Sequence, residues 1–363
     1  MMKRIITICA AAIISISAIF AQSNLQPLAT IKLNKAKSEV ITIKVLKARC
    51  DVYKKQFNTQ SFTLDQKKEI LNNLIDEKLI LQAAAKAGIS ITDSQLYELY
   101  LNNLSQQVGR KITEQEFASM VKQETGLSLD EFFQNQLAMT VEEYKTFLKN
   151  QYIGQQYVIR LKQAEMQAIA ATDTEIRSYF EMNRTTFAQN DIMKLFLVVV
   201  PKGNDAAKAK AKADEVYAKL SAKKPDLNAI KAGMNADTPY QAGDMIVSKN
   251  TQAAAQLRID YNTMLKIFDM SIGDVSKITE SPNDFQFYLV QERYPAKMLE
   301  LSDVVQPGST TTVYETIRAY LSQQKQMEYY NKAVKEIAES LRTPDSYQMN
   351  KTGDELDKLL ENW

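Results

Sequence analysis

The stretch Val313–Leu341, VYETIRAYLSQQKQMEYYNKAVKEIAESL, decides how this chain is organised. Its apolar residues recur at helical spacing, and Pro344 follows soon after its end, which predicts one long amphipathic helix. This segment comes after a finished α/β pattern and therefore has no local core to join. We predict that it packs back on helices from the first half of the chain, so that one helical domain is discontinuous and carries an inserted α/β unit.

The first half of the chain is predicted to be a helical array that follows two short strands, Leu28–Leu33 and Glu39–Ile43. Capping-box patterns, in which a hydroxyl residue is followed three positions later by Glu or Gln, mark helix starts. They occur at Thr63–Gln66, Thr92–Gln95, Thr113–Glu116, Ser128–Glu131 and Thr172–Glu175. Each precedes an apolar stripe, and the stripe after Ser128 predicts one long helix from Leu129 to about Gln167.

Between the two helical parts the pattern changes to that of a small α+β domain. The apolar run Ile192–Val200 predicts a buried strand, and the Ala/Lys-rich segment Ala206–Leu220 predicts a helix. The remaining predicted elements are a strand at Gly243–Val247, a helix at Thr251–Met270, and strands at Val275–Thr279 and Phe285–Gln291.

The composition excludes several classes of function. The 363 residues include no histidine, which excludes Ser-His and Cys-His catalysis and any His-ligated metal site. No Gly-rich phosphate loop is present, so we expect no nucleotide dependence. The net charge of +2 gives no electrostatic reason for the chain to bind nucleic acid. We expect neither a cofactor nor a metal.

The N-terminus has the order of a secretory signal: Lys3 and Arg4, an apolar run Ile5–Phe20, and then the small residue Ala21. An uncleaved N-terminal anchor is the alternative interpretation. Cleavage would remove Cys9 and leave Cys50 alone, so no internal disulfide is expected. We therefore predict export to the periplasm, with no stable membrane insertion once the signal is cleaved.

Nearly the whole mature chain resembles the SurA/PrsA family of exported foldases. Lys68–Gly88, KEILNNLIDEKLILQAAAKAG, followed by Ile89–Asp93, is similar to the first long helix of that family and the turn after it. Thr172–Phe187, TDTEIRSYFEMNRTTF, is similar to the helix that leads into a parvulin domain. The resemblance implies an ATP-independent chaperone that binds unfolded exported polypeptides, either outer-membrane or secreted proteins.

The inserted unit resembles parvulin prolyl isomerases in Lys194–Val198, in the turn-like Gln241–Met245 and in Phe268–Val275. On this resemblance, Leu195 and Gln286 occupy the positions of the two family histidines, and Thr263 or Met264 falls near a pocket phenylalanine. These departures imply a degenerate site with little or no isomerase activity. The alternatives are an active isomerase with a non-histidine network, and a docking protein with one dedicated partner.

The resemblance also implies a division of the chain: a signal peptide at 1–21, a SurA-like domain at 22–171, a linking helix at 172–186, a parvulin-like domain at 187–297, a completing helix at 298–342, and a tail at 343–363. The tail either docks on the scaffold or remains unstructured. Flexible or amphipathic side chains suit a surface for varied clients. The candidates for client contact are Tyr97, Tyr100, Met120, Phe132, Phe133 and Met139.

Overall fold

The computed structural model describes residues 24–33, 38–234, 240–257 and 259–362. The predicted signal peptide, with Cys9, lies outside these ranges. The chain divides into two compact units, one formed by residues up to Ile169 together with those from Lys325 onward, and one formed by Ala170–Gln324. The predicted fold class, a discontinuous and mainly helical domain with an inserted α+β domain, is confirmed.

The elements of the described residues are numbered here in chain order. The helices are α1 (Ile43–Phe57), α2 (Leu64–Lys86), α3 (Asp93–Val108), α4 (Glu114–Thr125), α5 (Leu129–Leu137), α6 (Val141–Ala168), α7 (Asp173–Met182), α8 (Ala206–Leu220), α9 (Leu227–Ala232), α10 (Thr251–Gln256), α11 (Tyr261–Asp269), α12 (Val313–Leu341) and α13 (Gly353–Glu361). The strands are β1 (Pro27–Ile31), β2 (Glu39–Thr42), β3 (Ala188–Gln189), β4 (Ile192–Pro201), β5 (Gln241–Ser248), β6 (Thr279–Glu280), β7 (Asp284–Tyr294), β8 (Lys297–Met298) and β9 (Tyr347–Met349).

The predicted capping boxes all form, and each begins a helix, from α2 to α5 and again at α7. A further capping box at Thr140 and Glu143 begins α6. The prediction of one helix from Leu129 to Gln167 is therefore wrong. Because Ala138 adopts a left-handed conformation and Thr140 caps a new start, the chain breaks into α5 and α6 at this point.

The core of the first unit contains residues from both its N-terminal and its C-terminal segments. Strands β2, β1 and β9 form an antiparallel sheet in that order, so the predicted tail supplies an edge strand. Buried Leu356 and Leu360 of α13 pack in the same cluster as β1, α1 and α2. Lys68 of α2 forms a salt bridge with Asp357 of α13, with 2.7 Å between Nζ and Oδ1. The tail is therefore docked; Trp363 lies outside the described residues.

The long helix α12 has two environments along its length. In its second half, buried Ala333, Ile337 and Ala338 pack against Ile80 of α2 and Val158 of α6, as the sequence predicts. In its first half, Val313 and Ile317 pack instead with α7, inside the second unit. The predicted completing helix, 298–342, is therefore corrected: only its part from Lys325 onward belongs to the first unit. The predicted linking helix corresponds to α7.

The second unit contains an antiparallel sheet of order β5-β4-β7-β6. Because side chains alternate along a strand, β4 sends Phe196, Val198 and Val200 toward α8, and Met193 and Leu195 toward α10 and α11. Two predictions are corrected. The turn-like Gln241–Met245 lies within strand β5, and the helix predicted at Thr251–Met270 is divided into α10 and α11, with Asp260 capping the second.

Candidate functional site

A groove of about 610 Å³ lies within the first unit, between helices α1, α2, α6 and α12. Its floor is apolar and comes from Ile80, Val158, Val334 and Ala338. The groove exists because α12 returns to the first half of the chain without closing completely over α2 and α6. Its walls therefore come from helices that are distant in sequence.

Aromatic side chains stand at the rim of this groove. Tyr53 comes from α1, Phe147 from α6 and Tyr330 from α12. Burial raises the pKa of Tyr330, so its hydroxyl stays protonated and available as a donor. A second cavity of about 650 Å³ shares Tyr53, Asn73 and Phe147 with the first and extends toward Phe57. The two cavities are therefore adjacent.

The charged groups that line the groove near α2 are paired. Arg49 Nη1 donates to Glu77 Oε2 at 2.7 Å, and Arg342 Nε donates to Asp76 Oδ1 at 2.6 Å. Burial alone disfavours the charged form of Arg49, but the hydrogen bond and charge of Glu77 outweigh it, so the pKa of Arg49 is raised. The charged lining residues are two basic ones, Arg49 and Lys335, and two acidic ones, Asp76 and Glu77, so the lining has no net formal charge, which suits an uncharged ligand.

The six predicted client-contact residues all lie in or beside a different cluster, formed by α3 to α6. Tyr100 is 0% exposed and Phe133 is 2% exposed, so these two are core residues and the prediction for them is corrected. Met120, Phe132 and Met139 are partly buried and pack on that core. Tyr97 is 45% exposed and keeps a surface available for contact.

Sequence reasoning missed the groove because it missed α1. A signal was present: Thr42 caps the helix start, and Ile43, Leu46 and Cys50 follow at helical spacing. The groove also depends on which faces of α6 and α12 remain uncovered, and a single helix pattern does not show that.

The parvulin-like positions lie on the α11 face of the second sheet. Leu195 is 1% exposed and packs with Met264, Phe268 and Val290. A leucine at this point fills space and offers no hydrogen bond.

Two positions differ from the sequence interpretation. Gln286 is exposed, lies opposite Val199 and donates to Asp284 at 3.0 Å. Tyr288 lies opposite Leu197 and packs on the Leu195 cluster, and burial raises its pKa. Tyr288 therefore packs in the cluster of Leu195, whereas Gln286 does not. Strand alternation alone could not reveal this, because both residues face the same side.

Thr263 is also corrected. Its hydroxyl donates to Asp260 Oδ2 at 2.6 Å at the start of α11, so it acts as part of a helix cap. The neighbouring Met264 is 0% exposed and faces Leu195. An open hollow of about 370 Å³ continues along this face of the sheet over Leu197, Val199 and Met245. Around Leu195 this face is apolar and carries the Tyr288 side chain.

Over the described ranges, no three Asp, Glu or Cys side chains gather as a metal site. No helix in the same ranges combines the length and the apolar character that crossing a bilayer requires.

Residues 171–306 match the family model of the PPIC-type PPIASE domain. The chain therefore contains a parvulin-type domain, and the resemblance predicted from its sequence is confirmed.

The relatives of the chain are named as foldases and chaperones. Foldase protein PrsA of Clostridium acetobutylicum is 26% identical over 48% of this chain and 48% of that protein. Chaperone SurA of Nitrosospira multiformis is 25% identical over 62% of this chain and 47% of that protein. The chain spans about half the length of these curated relatives.

One similar solved structure is that of a SurA-like chaperone of Campylobacter jejuni. It is 13% identical, with a TM-score of 0.34 over 90% of this chain and 99% of that one. At this TM-score no conclusion rests on the likeness.

Proposed function

We propose that this chain is an exported, ATP-independent chaperone that holds unfolded polypeptides in the groove between α1, α2, α6 and α12. One observation carries the proposal: a groove of about 610 Å³, adjacent to a second cavity, with an apolar floor, aromatic rims and no net formal charge in its lining. Such a lining suits many sequences, because it offers apolar contact and hydrogen bonding without selecting a charge. The names of the relatives support a chaperone role.

The periplasm is the proposed location. The order of basic, apolar and small residues at the N-terminus supports export, and clients would then be outer-membrane or secreted proteins.

The test is suppression of aggregation when a chemically denatured enzyme is diluted into buffer. The wild-type chain should suppress light scattering at near-stoichiometric ratio without nucleotide. Gln155→Trp, which fills the groove from an exposed position on α6, should lose most of this effect. The matched control Gln163→Trp changes the same helix outside the groove and should behave as wild type. Equal suppression by all three proteins would place client binding elsewhere.

We also propose that the parvulin-type domain has little or no isomerase activity. Leu195 offers no hydrogen bond, and Met264 and Phe268 pack against it, so the face lacks most of the polar network that a twisted amide requires.

Isomerase activity is the second candidate, because Tyr288 places one hydroxyl on an apolar face that remains partly open. A prolyl peptide isomerisation assay should give a rate at background. A rate well above background that falls in Tyr288→Phe would instead show that this face is catalytic.

A further inference from the structure

The groove of the first unit contains a glycine that packing does not require. Gly154 lies in the interior of α6 and lines the groove. A Cβ added there would meet only Ile80 Cγ2, at 3.7 Å, which is an ordinary van der Waals contact. Glycine inside a helix is unfavourable relative to alanine. The fold would therefore tolerate alanine, and the glycine calls for another explanation.

Five carboxamide side chains line the groove together with this glycine. Asn150, Gln151 and Gln155 lie within one turn of it on α6, and Asn73 and Asn331 approach from α2 and α12. Within the described part of the chain, no side-chain hydrogen bond occupies these five groups. Each carboxamide carries both a donor and an acceptor, which is the pairing that a peptide group presents.

We propose that this groove recognises the main chain of an extended, neutral polypeptide segment, which lies against α6 at Gly154 and exchanges hydrogen bonds with the surrounding carboxamides. The missing Cβ lets a backbone approach α6 closely, as glycine does where a ligand meets a main chain. The two basic and two acidic side chains that line the groove leave it without net formal charge, which favours an uncharged occupant. This inference rests on the proposed function and specifies its ligand class.

The occupant is a main chain and not a set of particular side chains. Carboxamides form hydrogen bonds with peptide groups, which every unfolded segment exposes. In a folded protein most of these peptide groups are already hydrogen-bonded. Recognition of this kind explains how one groove holds varied clients and releases them as they fold.

The first test compares two short neutral peptides of the same sequence, one of them N-methylated at alternate backbone amides. Fluorescence anisotropy with the full chain should show the methylated peptide binding more weakly, on the order of tenfold. Equal affinity would overturn the inference. The chaperone proposal would survive that result if the full chain still suppressed client aggregation, so the two failures are distinguishable.

The second test uses Gly154→Ala. This variant should unfold at higher denaturant concentration than wild type, yet bind the unmethylated peptide several-fold more weakly. A stabilised variant with unchanged affinity would overturn the close approach at Gly154.

The third test removes carboxamides. Gln151→Ala combined with Gln155→Ala should weaken binding of the unmethylated peptide and reduce its advantage over the methylated one. The matched control, Gln163→Ala with Gln167→Ala, changes exposed glutamines at the same spacing on α6 outside the groove. Equal effects of the two pairs would contradict the proposal. So would sedimentation showing that a second copy of the chain occupies the groove and that peptide fails to displace it.

Discussion

At the scale of single residues, two positions hold a residue type that is locally unfavourable for folding. Ala138 ends α5 in the left-handed region, with φ of 55°, where a Cβ is crowded. Gly154 is unfavourable for the opposite reason, because it lacks a Cβ at a helical position where one would fit. Ala138 is explained by the break between two helices, whereas Gly154 is explained only by the groove.

Replacing Ala138 by glycine should stabilise the protein. Relief of about 1–2 kcal/mol of left-handed strain exceeds the entropy of about 0.5–1 kcal/mol that glycine adds to the unfolded chain. We expect a net gain of about 0.5–1 kcal/mol in the free energy of unfolding, measured by urea denaturation.

The control for this prediction is Ala87→Gly. Ala87 caps α2 with φ of −80°, which alanine adopts without strain. This variant should therefore lose stability or remain unchanged. A loss in Ala138→Gly as large as that in Ala87→Gly would show that Ala138 is not strained.

At the scale of elements, the capping boxes explain why so much of the helical array was predictable. They are short local patterns, and each one predicted in the sequence begins a helix. The sequence prediction omitted helix α1, which begins after the N-cap Thr42 without a capping box, and the α5–α6 break, which a continuous apolar pattern spans.

The caps of α4 and α5 should be sensitive to acid. Backbone and side-chain hydrogen bonds from Thr113 and Ser128 lower the pKa of Glu116 and Glu131 below 4.5. A lowered folded-state pKa contributes stability that is present above the unfolded value and is lost as pH falls through the folded value. The caps of α2 and α3 use Gln66 and Gln95 and do not titrate.

Hydrogen exchange measured by mass spectrometry at pH 7 and near pH 3 should therefore show α4 and α5 losing protection before α2 and α3. Glu116→Gln combined with Glu131→Gln should remove this difference, because glutamine remains a hydrogen-bond acceptor without titrating. Uniform loss of protection across all four helices would contradict the assignment.

Docking of α13 gives another element-scale prediction. Leu360 is 0% exposed in the core shared by β1, α1 and α2. Leu360→Ala should lower the free energy of unfolding by about 2–4 kcal/mol because it leaves a cavity. The exposed neighbour Lys358→Ala should change it by less than about 0.5 kcal/mol, both measured by urea denaturation. Equal effects would mean that α13 does not belong to the core.

At the scale of the whole molecule, the discontinuous arrangement was predicted from one inference, that Val313–Leu341 follows a finished α/β pattern and must pack elsewhere. The structure divides that helix between two partners, and no pattern within α12 distinguishes its two halves. The candidate site was less predictable than the fold. A groove is a surface that several helices leave uncovered. The apolar stripe of one helix predicts that the helix packs, but it does not show which part of that stripe its neighbours leave uncovered. Side-chain chemistry made Tyr100 and Phe133 candidates for client contact, but both are buried in the structure.

We propose that unfolded polypeptide occupies the groove that α12 completes. A photo-crosslinking amino acid placed at Asn331, in the groove, should crosslink to an unfolded client, and the same amino acid at Glu339, exposed on α12 outside the groove, should not. Excess unlabelled client should abolish the crosslink at Asn331. Equal crosslinking from both positions, or crosslinking from Glu339 alone, would contradict the account.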